Sequence, residues 1–120
     1  RMTTPHPSTR QFTRLSEAVD FIVQCLESNA VTELLSTLQR APEHLTRMPG
    51  YMDYFSQFIF GNLREVHART NLRELYAAQE FPQTETCHKL GGHMAELGCI
   101  HIDFEKQSDG WALCDIWMCR

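Results

Sequence analysis

No uninterrupted apolar run in these 120 residues approaches the roughly 20 needed to carry a helix across a bilayer, so no membrane partner is expected. Positive charge is also scarce. Eleven Lys and Arg stand against fifteen Asp and Glu, a formal net charge of -4 with no basic stripe, which excludes nucleic acid as the main partner. The five cysteines, Cys25, Cys87, Cys99, Cys114 and Cys119, are odd in number and contain no CxxC pair, unlike a disulfide scaffold. They read as reduced core cysteines of a cytoplasmic protein. A phosphate-cradling loop is missing too, because Leu90-Gly91-Gly92-His93 lacks the further glycine and lysine that such a loop requires.

What is present is enough apolar material for one core. Hydrophobic residues make up 42% and charged residues 22%, the balance of a globular chain whose length needs no metal or disulfide staple. Residues 1–14 are polar and hold two prolines, so they are expected to form a flexible arm ahead of a single domain over 15–120.

The C-terminal stretch organises the domain. From Leu97 to Lys106, alternation puts Gly98, Ile100, Ile102 and Phe104 on one strand face and Cys99, His101, Asp103 and Glu105 on the other. Gln107-Ser108-Asp109-Gly110 is a hairpin signal. In the strand that follows, strict alternation would place Trp111, Leu113, Asp115 and Trp117 on one face, and Ala112, Cys114, Ile116 and Met118 on the other. Both faces are largely apolar, so this strand should be interior to its sheet or covered on both sides.

Upstream, the spacing is helical. Ser16 is a candidate N-cap with Glu17 and Asp20 in the first turn, and Leu15, Val19, Ile22 and Leu26 form an apolar stripe. A second helix carries Val31, Leu34, Leu35 and Leu38 until Ala41-Pro42 stops it, and Pro42 to Gly50 reads as a linker. A third runs from about Gly50 to the mid-60s through Tyr51, Tyr54, Phe55, Phe58, Ile59, Leu63 and Val66. Its aromatics either fill the concave side of a sheet or line a ligand pocket. Asn62 to Ala68 and Asn71 to Ala77 are nearly the same heptapeptide. Residues 72–80 are ambiguous between helix and strand, with Phe81-Pro82 favouring strand, and Thr84 to Leu90 reads as a further short strand. Gly98 is the candidate position for a β-bulge.

Helices first and antiparallel strands after them make an α+β domain, with N-terminal helices on one face of a strongly curved sheet. The ending Asp109-Gly110-Trp111-Ala112-Leu113-Cys114-Asp115-Ile116-Trp117 resembles that of the nuclear transport factor 2-like, or cystatin-like, superfamily of α+β cones. That resemblance implies a cone enclosing a pocket, and a homodimer formed through the outer face of the sheet. Some members of the superfamily act on small molecules; others bind ligands or proteins without chemistry.

The residues offer two kinds of site. His101 and Asp103 are the candidate acid-base pair, with Tyr51, Tyr54 or Tyr76 as hydrogen-bond donor and His93 across the turn. Tyr51, Tyr54, Phe55, Phe58, Tyr76, His93, Trp111 and Trp117 are the candidate ligand-binding set. Cys87, His88, His93, Cys99, His101 and Asp103 fall within seventeen positions and all suit metals. Alternate residues of one strand stand about 6.5 to 7 Å apart, however, so a row of three does not converge on one ion, and no metal or cofactor is expected. The resulting expectation is a non-catalytic module binding a small apolar ligand or a protein, a description that a bacterial accessory or immunity-type protein would fit. The competing reading is a cofactor-independent isomerase, dehydratase or hydrolase. They differ in where His101 and Asp103 face: an apolar cavity for the enzyme, the outer face or a dimer contact for the module.

Overall fold

The computed structural model describes residues 10–78, 100–107 and 109–118. In chain order its elements are β1 (Gln11–Phe12), α1 (Leu15–Glu27), α2 (Val31–Thr37), α3 (Ala41–Arg47), α4 (Tyr51–Tyr54), a π-helical turn (Phe55–Phe60), α5 (Gly61–Thr70), α6 (Leu72–Ala78), β2 (Ile100–Gln107) and β3 (Gly110–Met118). This is the expected α+β order. The described strands form one antiparallel sheet, ordered β1-β3-β2, with β3 in the centre as its apolar composition required. No helix among the described residues is long and apolar enough to cross a membrane.

α1 supplies the centre of the core. Leu15, Ala18, Val19, Ile22, Val23, Cys25 and Leu26 are all buried, the stripe that helical spacing predicts. Its N-cap is Arg14, not Ser16: Glu17 sits at the third helical position and its carboxylate accepts the Arg14 backbone N–H. Just before it, Gln11 and Phe12 lie within the polar arm yet pair with Ala112 and Trp111. Phe12 packs on Phe21 of α1, with the Arg10 guanidinium over both rings.

One helix stands where a linker was expected, and another where a strand was favoured over a helix. Pro42 does not end α2. It lies in the first turn of α3, where a missing N–H costs nothing and the fixed φ is already helical. The linker 42–50 is therefore mostly helix. Residues 72–78, for which a strand was favoured, form α6. Asn71 is the reason: its Oδ1 accepts the N–H groups of Arg73 and Glu74, and its φ of 61° turns the chain sharply out of α5. His67 then ties three helices together. Its Nδ1 accepts the Leu72 N–H, so the ring proton lies on Nε2, which faces Glu27 at the end of α1. The repeated heptapeptide buries its leucine completely in both copies, at Leu63 and at Leu72.

The third helix is longer than expected. α4, the π turn and α5 run on from one another without a break in helical backbone angles, from Tyr51 to Thr70. The wide turn lets two successive residues, Ile59 and Phe60, both point into the core.

β3 departs from strict alternation. Asp103 pairs with Asp115 and Phe104 with Leu113, leaving Cys114 as an extra residue, a β-bulge. Paired residues share a sheet face, so Trp111 and Leu113 lie with Phe104 on the helix side, as do Ile116 and Ile102. Asp115 and Trp117 lie on the opposite face with Asp103 and His101. The expected grouping of Trp111 and Leu113 with Asp115 and Trp117 is thus corrected by the one inserted position. The bulge expected at Gly98, the strand expected at 84–90 and the start of the strand at 97–99 lie outside the described residues.

The hairpin closes with Gln107 paired to Gly110. Gly110 has φ 150°, and a Cβ there would collide with the Phe12 carbonyl of β1. Gly110→Ala is expected to lower stability by about 2–3 kcal/mol, read as a lower urea midpoint at unchanged m-value.

Candidate functional site

On the sheet face away from the helical core, two carboxylates oppose each other across β2 and β3. Asp103 and Asp115 are a directly facing pair and both are buried. Like charges so placed, each short of water, need partners. Each has one. The indole N–H of Trp117 donates to Asp103 Oδ2 at 2.9 Å, and His44 Nε2 lies 3.1 and 3.2 Å from the two oxygens of Asp115. Asp115 also accepts the backbone N–H of Ile116.

The partners are themselves held by rings. Trp117 stacks on His101 with centroids 4.1 Å apart and planes only 8° from parallel. His44 stacks on Tyr51 at 4.8 Å, and Tyr51 lies against Tyr54 and Phe55. Next along the face, Cys114 Sγ donates to Glu105 at 3.4 Å and approaches Gln39 at 3.5 Å, while Gln107 donates to Glu105 and Gln39 and accepts from Gln11. The result is a polar stripe whose groups satisfy one another.

Its electrostatics follow from burial. Burial raises the Asp115 pKa and Asp103 adds to the rise, against the opposing pull of His44 and Arg40. Burial likewise pushes the Tyr51 phenol up to about 12, helped by the nearby Asp115 charge. It pushes the Cys114 thiol up to about 12, with Glu105 adding both its charge and its hydrogen bond. Cys25, buried in α1, is raised to about 11. Neither thiol is a ready nucleophile at neutral pH. A histidine held by a carboxylate is the geometry that orients a general base, but no activated nucleophile accompanies it among the described residues. Nor do any three His, Cys, Asp or Glu side chains gather there in a way that could hold a metal.

The expected site residues divide. His101, Asp103 and Trp117 are together on the stripe, and Tyr51 joins them through His44 and Asp115. Trp111 is buried on the helix side, beneath the Lys106 ammonium. Phe55 is buried in the core, while Tyr54 and Phe58 of the same helix point outward, their rings 5.7 Å apart. Tyr76 is half-buried against the core. His93, with Cys87, His88 and Cys99, lies outside the described residues. Sequence reasoning missed His44, Asp115 and Gln39. His44 stood in the presumed linker, and Pro42-Glu43, a proline and an acid at a helix start, was the signal that could have recovered it.

No family model matches the chain, and neither the curated proteins nor the solved structures searched contain a match.

Two measurements probe the stripe. Since the folded pKa of Asp115 lies above its ordinary 3.8, its contribution to stability is full below pH 3.8 and is lost as pH rises through the folded value. Wild type should therefore lose stability relative to Asp115→Asn over that rise, seen in urea titrations at successive pH values. Trp117→Phe keeps a ring on His101 but removes the only side-chain donor described for Asp103, and should cost about 1–3 kcal/mol at pH 7 in the same assay.

Proposed function

We propose that this chain is a protein-binding module, and that its contact surface is the outer side of α3, α4 and the π turn rather than the polar stripe. One observation carries the reading. The large apolar side chains most exposed in the described structure are Leu45, Met48, Met52, Tyr54, Phe58 and Trp117, and the first five follow one another along α3, α4 and the π turn. Phe58, the most exposed, keeps 52% of its surface. Aromatic and methionine side chains are what protein contact surfaces are enriched in, and exposed large apolar side chains gathered in one stretch of chain, with the Tyr54 and Phe58 rings in contact at 5.7 Å, support an interaction site there.

The polar stripe supports the same choice. An isomerase or dehydratase would keep His101 and Asp103 poised over an apolar cavity, whereas Asp103 lies opposite the Ile102 and Phe104 face and its carboxylate takes the Trp117 indole. Asp115 is similarly taken by His44. For the chain as a whole, the helix-then-strand order and the Asp109 to Trp117 ending support a nuclear transport factor 2-like cone, with the binding role some of those cones have.

A photo-crosslinking phenylalanine analogue placed at Phe58 or Met52 in cells should form covalent adducts with protein. The same analogue at Thr32, an exposed polar position of α2, should not. Equal yields at all three positions would end the reading.

A further inference from the structure

Phe21, Gln24, Cys25 and Ser28 recur three and four residues apart, so they form one stripe along α1 and its C-cap. Together with Arg10, the residue just before β1, and Glu33, in the first turn of α2, they line a hollow of about 200 Å³. Phe21 and Cys25 are its buried members, and the other four are exposed. An apolar base under a few polar groups is how small-molecule sites are built.

Two opposite charges border this hollow without using each other. Pairing between β1 and β3 fixes the backbone beside Arg10, whose guanidinium lies over the Phe12 and Phe21 rings at 5.0 and 4.5 Å. Stacking occupies the face of a guanidinium and leaves its N–H edge for a carboxylate. Glu33 is positioned by Leu34 and Leu35, the buried residues that follow it in α2. Among the described residues neither charged side chain makes an ion pair or a hydrogen bond. Both nevertheless act on the thiol between them. Burial raises the Cys25 pKa most, Glu33 adds to the rise and Arg10 opposes it. The thiol stays neutral, so the hollow carries one charge of each sign.

That pairing selects the ligand. A simple anion such as inorganic phosphate would gain Arg10 but meet Glu33, and a simple cation would gain Glu33 but meet Arg10. An apolar molecule would cover both charges and satisfy neither. A molecule with both signs on a short apolar body meets every wall. We propose that this hollow binds a free amino acid as its zwitterion, the carboxylate on the N–H edge of Arg10, the ammonium on Glu33 and the side chain against Phe21 and Cys25. Its volume lies below the roughly 300 Å³ at which drug-sized sites begin, which restricts the ligand to a small one. The site is separate from the contact strip of α3, α4 and the π turn and does not depend on it.

Titration of the ¹⁵N-labelled full chain with L-alanine, L-valine and L-methionine, followed by two-dimensional NMR, tests the assignment. At least one of the three should shift the Gln24 side-chain amide and the Ser28 backbone amide, saturating with a Kd of about 1 mM or tighter. The Trp117 indole N–H, on the polar stripe, should not move. The deaminated acid and the decarboxylated amine of the amino acid that binds each carry one of its charges, and should bind at least about 10-fold more weakly. Arg10→Gln and Glu33→Gln should each weaken binding by a similar factor while keeping the far-UV circular dichroism of wild type. The proposal is overturned if none of the three gives a saturating shift up to about 10 mM. It is equally overturned if the acid alone binds as well as the amino acid, which would make this an anion site, or if both variants bind as wild type does. Adduct formation at Phe58 is read separately, so either result leaves the contact strip where it stands.

Discussion

Leu113 and Cys114 turn their carbonyl oxygens to the same edge of β3, and the N–H groups of Gln39 and Arg40 bind them at 3.0 and 2.9 Å. In a regular strand successive carbonyls point to opposite edges. Because the peptide is planar and trans, only the extra residue of a bulge brings two together. β1 covers this edge no further than Ala112, so the described strands leave the two oxygens without a ladder partner. The turn between α2 and α3 fills the gap, and α3 follows from where that turn must sit. The position of α3 gives His44 its reach to Asp115; that histidine in turn carries Tyr51 and the start of the long helix. One inserted residue thereby fixes how half of the helical layer meets the sheet.

The same insertion explains which parts of the structure were legible. Elements specified by local periodicity could be read directly: the α1 stripe, the helix beginning at Tyr51, and the hairpin at Asp109-Gly110. In each, burial and period agree over several turns or residues. Elements specified by one residue's geometry were misread. Pro42 has the same letter whether it stops one helix or opens the next, and Asn71 serves as a helix cap only once the chain turns back with positive φ. Cys114 gives no sign at all, since the bulge is set by the match between β3 and two different neighbours, a long-range condition. Gly110 was marked for its positive φ, which it has, but its second role, making room for Phe12 in the adjacent strand, depends on a long-range neighbour and left no local sign.

The site divides in the same way. His101 and Asp103 were recognised as a pair on a polar face, which alternation alone can give. Their partners, Trp117 and the facing Asp115, come onto that face only through the bulge, and His44 only through an unrecognised helix. A polar face that looked unassigned in the chain turns out to be closed upon itself, and apolar rings that looked like core are divided between inside and outside. Buried carboxylates facing each other are costly, and here each has a side-chain partner, the Trp117 indole for Asp103 and the His44 ring for Asp115.

The π turn has a mechanical meaning within this arrangement. The first part of the long helix takes its rotation from the sheet side, through Tyr51 stacked on His44; the last part takes its rotation from α1, through Leu63 and His67. An ideal α-helix advances about 100° per residue, so two anchors out of step by a single residue could not both be met by a straight, regular rod. The extra residue in the wide turn absorbs that mismatch. It behaves as a coupling between two shafts, letting each end seat against its own neighbour while the rod stays continuous.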